Sequence, residues 1–276
     1  MSFPKHTIIT GGSSGIGYAV AERLIRRGER VSLIARDLVK LQQARDGLLA
    51  LGATPQSISI VAADVIDQRR LDEAVAECEE SGGVASALIA SAGIVCPQFF
   101  DQQPADDFDR QIRTNLLGVA NSVRAVYGPM RRRGYGRIMM VSSGAAFVGI
   151  PGYAAYCASK AALRAFASSL RLEARPAGVR VSICFPPDTE TPQLQAELPH
   201  RPQAARLFMG QAKPWPVDKV AERILAGFDA GRDEVNFGLL LHVLARTSPA
   251  LEPLLQSLYL WRTAKATDTN LTDGSS

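Results

Sequence analysis

The sequence predicts an α/β fold in which helices cover both faces of a doubly wound parallel sheet. Three observations predict it. Short apolar runs rich in β-branched residues recur along the chain, helical periodicity follows nearly every run, and glycines or small polar residues stand where runs end. Because no internal repeat or linker divides the 276 residues, we expect a single domain over 1–262 and a disordered polar tail over 263–276.

The composition excludes several classes of protein. Hydrophobic residues make up 46% of the chain and charged residues 21%, which is typical of a soluble globular protein. The net charge of +4 is too small to indicate a nucleic-acid-binding surface. The four cysteines and three histidines lack metal-ligand spacing, and the first residues lack the zones of a signal peptide. We therefore expect a cytoplasmic protein without a metal site or a nucleic-acid partner.

The first strand, over 6–10, leads directly into a glycine-rich turn and then into helical periodicity over 18–27. The turn consists of Gly11, Gly12, Ser13, Ser14, Gly15, Ile16 and Gly17. Glycines let the backbone approach a pyrophosphate, and the helix N-terminus offers it free N–H groups. A plain tight turn is the alternative, but the flanking strand and helix favour a dinucleotide site.

The second strand, over 30–35, ends where the adenosine ribose of a dinucleotide would lie. NAD-binding folds usually place an acidic residue there, whereas this chain has Arg36. We interpret Arg36 as the partner of a 2′-phosphate, which predicts NADPH or NADP+ as the cofactor; a solvated loop charge is the alternative. The adjacent Asp37 is expected to cap the next helix, over 38–51.

The third and fourth strands, over 57–62 and 85–90, also end in residues suited to a cofactor. Asp64 is placed to accept a hydrogen bond from an adenine amino group. The small residues over 91–93 permit close packing against a bound cofactor. The helix between these strands runs through Ser81.

A long helical region over 106–133 carries Asn115 in its interior. Asparagine is mildly unfavourable inside a helix, so Asn115 is either functional or an ordinary satisfied polar group. The arginines over 131–133 are expected to face the negative end of the helix dipole, and Gly134 is expected to end the helix.

The strand over 137–141 is followed by the residues that carry chemistry. Ser143 lies at its carboxyl end, where ligands bind in open α/β sheets. Tyr156 and Lys160 stand four residues apart on the next helix and project from the same face. An ammonium near a phenol favours the phenolate and lowers its pKa, which predicts Tyr156 as a general acid or base. The spacing alone is common on ordinary helices, and its position in the fold favours a functional pair.

The remaining segments complete the fold and carry its least regular parts. A strand over 179–185 breaks at two prolines, and the segment over 188–213 has the composition of a lid, so we predict it as the substrate loop. A helix over 216–230 and a short strand over 234–237 follow. The segment over 238–261 is strongly apolar but too interrupted to cross a bilayer. Packing on the domain or a subunit interface is the favoured interpretation, and contact with a membrane surface is the other.

Together these motifs resemble the short-chain dehydrogenase/reductase family over the chain up to about Phe237. The motifs are Thr10 to Gly17, Asp64, Ser91 to Gly93, Asn115, Ser143, Tyr156 to Lys160, and Pro186 to Thr191. The resemblance implies a Rossmann-like fold, a nicotinamide cofactor and assembly as a homodimer or homotetramer.

The resemblance also implies a role for individual residues. Ser143 would hold the carbonyl oxygen of the substrate, and Tyr156 would donate its proton to that oxygen. Lys160 would bind the nicotinamide ribose and lower the tyrosine pKa, and Asn115 would support a water-linked proton relay. The predicted cofactor-binding residues are Gly11, Ser13, Ser14, Gly15, Ile16, Gly17, Arg36, Lys40, Asp64, Val65, Ser91, Ala92, Gly93, Tyr156, Lys160, Pro186, Thr189 and Thr191.

Two positions depart from the family pattern. Ser91 stands where the family usually has asparagine, which alters a contact that steadies the central sheet. Pro187 stands where the family usually has glycine, which stiffens the entrance to the substrate loop. The segment from Pro186 to Pro192 is similar to that of 3-ketodihydrosphingosine reductases, which use NADPH to reduce a long-chain ketone and associate with membranes.

We therefore expect an NADPH-dependent reductase of a long-chain 3-keto lipid. For such an enzyme, peripheral membrane contact through 238–261 is the alternative to packing on the domain or a subunit interface. The alternative within the same family is a dehydrogenase of 3-oxoacyl thioesters or of another small ketone or alcohol. A cofactor-binding scaffold or sensor without catalysis is the alternative from a different class. The complete set of Asn115, Ser143, Tyr156 and Lys160 argues against the scaffold, because binding alone does not need all four residues.

Overall fold

A computed structural model describes residues 5–210 and 212–272. Its seven strands form one sheet in the order β3-β2-β1-β4-β5-β6-β7, and every neighbouring pair is parallel. The predicted doubly wound parallel fold is confirmed. The strands are β1 His6–Thr10, β2 Arg30–Ala35, β3 Ile58–Ala62, β4 Ala87–Ala90, β5 Gly136–Val141, β6 Val179–Phe185 and β7 Glu234–Asn236.

Helices cover both faces of this sheet. The helices are α1 Gly15–Arg26, α2 Leu38–Ala50, α3 Gln68–Gly82, α4 Ala105–Ile112, α5 Gly118–Arg133, α6 Ala154–Ala174, α7 Pro192–Glu197, α8 Gln203–Met209, α9 Val217–Asp229 and α10 Gly238–Thr272. One layer packs around α1, α2 and α9, and the other around α3, α5 and α6.

The two hydrophobic cores follow from the alternation of side chains along each strand. In β1, Ile8 belongs to the core under α3, α5 and α6, whereas Ile9 belongs to the core under α1, α2 and α9. Leu88 and Ile89 divide in the same way on β4. Since successive strand residues point to opposite faces, both must be apolar when helices cover both faces. This explains why the strands read as continuous apolar runs.

The region predicted as one helix over 106–133 is two helices joined by a π-helical turn, Arg113–Leu117. Asn115 lies in this turn and is fully buried. A π-turn is a wider, less favourable winding that occurs mostly as a single turn and often at functional sites. The unfavourable interior asparagine therefore coincides with a break in the regular helix.

The C-terminal helix differs most from the sequence-based expectation. The structure continues as α10 from Gly238 to Thr272, so residues 263–272 of the predicted disordered tail are helical, and 273–276 lie outside the described residues. Leu244 and Ala245 are buried in the core, and Leu241 and Leu251 pack against it. The first part of α10 therefore packs on the domain. Among the described residues, no helix is both long and apolar enough to cross a membrane.

Candidate active site

The predicted site residues gather at the carboxyl edge of the central strands. The glycine turn follows β1, residues 91–93 follow β4, Ser143 follows β5, and Pro186 follows β6. These strands are parallel neighbours, so their carboxyl ends lie along one edge of the sheet. The strand order reverses between β1 and β4, and ligands bind at such a point in open α/β sheets. The fold therefore brings together segments that are far apart in the sequence.

The glycine turn has the close approaches that a pyrophosphate site needs. A side-chain carbon at Gly11 would lie 2.7 Å from the main-chain nitrogen of Ala92, and one at Gly17 would lie 2.4 Å from the carbonyl oxygen of Gly11. The Ser14 side chain does not cap α1. The first N–H groups of α1 have no partner within the helix, so they remain for a ligand. The turn fits the diphosphate of a dinucleotide, with Ser13 and Ile16 half-buried within it.

Two cations lie beyond the end of β2, where the sequence predicts the adenosine ribose. The Arg36 side chain is 60% exposed, and its Nη1 lies 3.9 Å from Asp64 Oδ2. Lys40 is also exposed, with Nζ 4.0 Å from Asp37 Oδ2. Asp37 caps α2 as predicted, because its side chain accepts from the Lys40 main-chain nitrogen. Among the described residues, the acidic partners of both cations lie at the long end of the ion-pair range, so either cation can turn toward a phosphate.

Asp64 and Val65 shape the loop after β3. Asp64 Oδ1 accepts from the main-chain nitrogen of Ile66 at 3.1 Å, so one of its oxygens stabilises the loop itself. Val65 is buried, and a side-chain carbon at Gly118 would lie 2.4 Å from its Cγ2. Val65 is therefore held by the first turn of α5.

Ser143 and Tyr156 form the centre of the arrangement. The Ser143 side chain lies near the phenol of Tyr156 and favours its ionised form, which acts to lower the pKa of the phenol. Ser143 Oγ also accepts from the main-chain nitrogen of Ala145 at 3.2 Å, which holds it at the start of a short 3₁₀ turn. Two neighbouring hydroxyl groups can both donate to a single acceptor, such as a carbonyl oxygen.

The pKa of Tyr156 differs from the prediction. Burial raises the pKa of this phenol, the nearby Ser143 side chain opposes the rise, and the negative charges of Glu197 and Asp188 add to it. The sequence predicts a lowered pKa through Lys160. The lysine Nζ lies 5.6 Å from the centre of the tyrosine ring, and burial rather than the lysine determines the direction of the shift in the pKa of Tyr156.

Lys160 is buried between β5 and α6. Its Nζ donates to the carbonyl oxygen of Val141 at 3.2 Å, and burial lowers its pKa to about 8. The main chain at Lys160 is also fixed, because Ser142 Oγ donates to its carbonyl oxygen at 2.9 Å. A side-chain carbon at Gly93 would lie 3.4 Å from Lys160 Nζ and 3.3 Å from Asn115 Oδ1. The lysine and the asparagine therefore both reach the residue that follows β4.

Asn115 connects three parts of the site. Its Oδ1 accepts from the main-chain nitrogen of Ile94 at 2.8 Å, and its Nδ2 donates to the Ile94 carbonyl oxygen at 2.9 Å and to Ser159 Oγ at 3.1 Å. Ser159 Oγ donates in turn to the carbonyl oxygen of Tyr156 at 2.7 Å. Both amide protons are used in these contacts. Asn115 thus ties the loop after β4 to the helix that carries Tyr156, and only a second lone pair on Oδ1 remains for a water.

The residues after β6 make mostly local contacts. The Pro186 carbonyl oxygen accepts from the Gly144 main-chain nitrogen at 2.9 Å, which links the segment to the neighbour of Ser143. Thr189 Oγ1 donates to the Pro187 carbonyl oxygen, and Thr191 Oγ1 caps α7 by accepting from Leu194. A side-chain carbon at Gly15 would lie 3.3 Å from the Thr191 methyl group. The start of the substrate loop therefore lies against the glycine turn.

Ser91, Ala92 and Gly93 follow β4 as predicted, at the centre of the edge. The main-chain nitrogen of Ser91 donates to the Thr10 carbonyl oxygen at 3.0 Å, so β4 stays paired with β1 up to the turn. The backbone around Ala92 is the surface against which Gly11 packs. This close packing occurs with serine in place of the asparagine that is usual in the family.

Sequence reasoning missed a buried polar cluster that holds the substrate loop. Tyr153 Oη donates to Glu197 Oε1, and Arg201 donates to Glu197 Oε1 at 2.6 Å and to Asp188 Oδ2 at 2.7 Å. The Arg201 and Glu197 side chains are only 8% and 9% exposed. We call Tyr153, Asp188, Glu197 and Arg201 the loop clamp. The only signal in the sequence is the spacing of Glu197 and Arg201, which is common on helices.

The loop clamp lies next to the candidate catalytic tyrosine. The rings of Tyr153 and Tyr156 meet edge to face with 6.3 Å between their centres. The clamp therefore fastens α7 and the turn after it to the first turn of α6, so the position of the substrate loop is coupled to the position of Tyr156.

Comparisons with known proteins agree with this arrangement. The family model described as short chain dehydrogenase matches residues 5–202. A 3-ketodihydrosphingosine reductase from Dictyostelium discoideum is 31% identical, over 92% of this chain and 81% of the relative. A 3-dehydrosphinganine reductase from Danio rerio is 31% identical, over 90% of this chain and 76% of the relative.

Solved structures give the same fold. Levodione reductase is 24% identical with a TM-score of 0.77, and the match covers 86% of this chain and 97% of that one. A variant of actinorhodin polyketide ketoreductase, solved with NADPH, is 26% identical with a TM-score of 0.76, over 84% of this chain and 95% of that one. With a family model that matches most of its length and relatives of this similarity, the chain belongs to the short-chain dehydrogenase family of oxidoreductases.

Proposed function

We propose that the chain is an NADPH-dependent reductase that converts the ketone of a long-chain 3-keto lipid, such as 3-ketodihydrosphingosine, to a secondary alcohol. One observation carries the proposal. The neighbouring Ser143 and Tyr156 hydroxyls lie close to the buried Lys160 at the carboxyl edge of the sheet. The relatives named above supply the substrate class, since they are named as reductases of this lipid.

The cofactor would be held along the carboxyl edge. The glycine turn and the start of α1 would bind the diphosphate, Arg36 and Lys40 would bind the 2′-phosphate, and Asp64 would accept from the adenine amino group. Lys160 would donate to the nicotinamide ribose. Bound NADPH supplies the hydride, and the protein supplies position and charge.

The protein residues would act on the carbonyl oxygen of the substrate. Ser143 and Tyr156 donate two hydrogen bonds to that oxygen, and both bonds strengthen as the oxygen gains negative charge. Tyr156 then transfers its proton to the oxygen. Because burial raises the pKa of Tyr156, the phenol is fully protonated at neutral pH. Below a pH of about 8, Lys160 carries the charge that stabilises the resulting phenolate.

The walls near Ser143 suit an apolar substrate. A side-chain carbon at Gly144 would lie 2.9 Å from Leu241 Cδ2 on α10. The Phe208 ring on α8 meets the Tyr259 ring on α10 with 5.8 Å between centres. The first turn of α10 therefore forms an apolar wall beside Ser143, and the later part of α10 meets α8 of the substrate loop. An alkyl chain attached to the ketone would run along this wall. The exposed apolar side chains of α10 support contact of 238–261 with a membrane surface.

Two further parts of the proposal follow from family membership. We expect a homodimer or homotetramer, which sedimentation velocity of the full chain distinguishes from a monomer. We also expect a cytoplasmic enzyme associated with a membrane, in keeping with four free cysteines.

The test is NADPH oxidation by the purified chain with 3-ketodihydrosphingosine, beside a 3-oxoacyl thioester and short ketones of equal concentration. We expect the highest kcat/KM with the long-chain ketone, because α10 and the substrate loop offer an apolar wall. Preference for the thioester or the short ketones would contradict the lipid assignment. NADPH binding without turnover of any ketone would favour the scaffold.

A further inference from the structure

A cavity of about 370 Å³ lies outside the candidate active site, between the end of β7 and the start of α10. Its lining includes Arg223, Arg232, Asn236, His242 and Arg246. None of the residues placed at the carboxyl edge above lines it. We call it the arginine cavity.

The arginine cavity carries excess positive charge. The two carboxylates in its wall, Asp233 and Glu234, have cationic partners on α6 and on the turn that follows it. Asp233 pairs with Arg175 at 3.2 Å and with Arg171 at 3.5 Å, and Glu234 pairs with Arg164 at 3.5 Å. Within the described part of the chain, no carboxylate forms an ion pair with Arg223, Arg232 or Arg246. Three guanidinium groups around one space, without counter-ions of their own, favour an anionic ligand.

Contacts within the cavity hold its cations in place without neutralising them. Arg223 Nε donates to the main-chain oxygen of Asn236 at 2.6 Å, and its guanidinium lies over the Phe237 ring. Arg246 Nη1 lies 2.5 Å from His242 Nε2, one helical turn away on α10. Since the partners are a carbonyl group and rings, both guanidinium charges remain available to a ligand.

Asn236 contributes to the wall of the cavity through the main-chain oxygen that holds Arg223. The ligand indicated by the three arginines is therefore an anion, such as a phosphate ester.

The surface beside the cavity is apolar. Leu239, Leu240 and Val243 are 80%, 71% and 39% exposed. His242 and Arg246 lie three residues beyond Leu239 and Val243 respectively, so charged and apolar side chains are neighbours on the surface of α10. A free phosphate would account for the arginines but leave the exposed leucines without a role. A phospholipid accounts for both, with its headgroup in the cavity and the leucines at the acyl-chain boundary.

We propose that the arginine cavity binds the headgroup phosphate of an anionic phospholipid, with Leu239, Leu240 and Val243 in the membrane surface beside it. This inference rests on the membrane contact of 238–261 proposed above and adds the residues that bind the headgroup, whereas it does not depend on the ketone reduction.

The experiment is flotation of the full chain with phosphatidylcholine vesicles, with and without phosphatidylglycerol. We expect the chain to bind only the vesicles that contain phosphatidylglycerol. Arg232→Gln with Arg246→Gln should weaken this binding about 30-fold, since each basic residue near an anionic surface contributes about 1 kcal/mol. Arg131→Gln with Arg132→Gln removes the same charge from the exposed end of α5 and should weaken it less than about threefold. Leu239→Ser should weaken binding without any change in charge.

Thermal unfolding and NADPH binding check that each variant is folded. Equal binding to neutral vesicles would overturn the proposal, as would equal losses from the two pairs of variants, because general surface charge would then explain binding. Inorganic phosphate or glycerol phosphate that displaces the chain from vesicles at micromolar concentration would assign the cavity to a soluble phosphate ester instead.

Discussion

Tyr156, Ser143 and Lys160 have environments that divide the work of proton transfer between them. Burial keeps the proton on Tyr156, the Ser143 side chain lies near that phenol, and burial lowers the pKa of Lys160 to about 8. A donor that holds its proton until the carbonyl oxygen becomes negative suits reduction of a ketone. The reaction therefore depends on the charge of the lysine.

We predict that kcat/KM falls as pH rises through about 8, because Lys160 then loses its proton. Burial lowers this pKa, so the charged form is present below it and is lost above it. The measurement is a pH profile of kcat/KM for NADPH oxidation. Lys160→Arg remains charged throughout this range, so any activity it retains should show no such decline; an identical decline in that variant would assign it to another group.

We predict that Arg36→Ala weakens NADPH binding about tenfold or more and changes NADH binding less than about twofold. The loss corresponds to a charge-assisted hydrogen bond to the 2′-phosphate. Fluorescence titration with both cofactors measures it. The matched control is Arg69→Ala, which removes an 81% exposed arginine on α3 and should affect neither cofactor. Equal weakening of NADPH and NADH by Arg36→Ala would refute the 2′-phosphate role.

The loop clamp shows how one element controls another. Arg201 joins α7 and the loop before it to the first turn of α6, and it is buried together with Glu197. Removing one member of a buried charged cluster leaves the others unpaired, which costs more than the loss of an exposed pair. The clamp should therefore hold the substrate loop in the position found here.

We predict that Arg201→Met increases hydrogen exchange over 188–209 and raises KM for the ketone more than it lowers NADPH affinity. Leaving Glu197 and Asp188 without their cation costs on the order of 3 kcal/mol, most of it in opening of the loop. Mass spectrometry of exchanged peptides measures the change. Arg175→Met breaks an exposed pair with Asp233 and serves as the control, with an expected cost below about 1 kcal/mol. Unchanged exchange in Arg201→Met would mean that the clamp does not hold the loop.

Regular elements are predictable from the sequence where a single physical rule determines them. The first strand and its turn follow from buried β-branched residues and glycines, and β6 begins and ends where the sequence predicts. The π-turn at Asn115 and the continuous helix α10 are not predictable in this way. Each depends on contacts from distant segments, such as Ile94 for Asn115 and the core residues that receive Leu244.

In the whole molecule, the carboxyl ends and the amino ends of the parallel strands have different roles. The carboxyl edge gathers the predicted site, whose members could be named from motifs but whose contacts could not. At the opposite edge, His6 is buried and hydrogen-bonds to Ser32 Oγ at 2.8 Å and to the Gly83 carbonyl oxygen at 2.6 Å. These hydrogen bonds of His6 contribute to the free energy of unfolding and lie far from the predicted site.

We predict that the free energy of unfolding falls as pH drops below about 6.5, the ordinary pKa of histidine. Burial lowers the pKa of His6, so the folded chain resists protonation while the unfolded chain accepts the proton. The contribution of His6 is therefore complete above pH 6.5 and is lost as pH falls toward the lowered pKa. Urea unfolding at several pH values measures it. His6→Gln should flatten the slope, and an unchanged slope would place the titration elsewhere.

In the proposed reaction, Tyr156 protonates the ketone of a long-chain 3-keto lipid while NADPH is bound. The most direct measurement compares Tyr156→Phe with the unchanged chain, using NADPH oxidation with 3-ketodihydrosphingosine and NADPH binding by fluorescence. We predict that turnover falls by about 100-fold or more, as for loss of a general acid, with NADPH affinity changed less than about threefold. Turnover close to that of the unchanged chain would show that Tyr156 is not the proton donor.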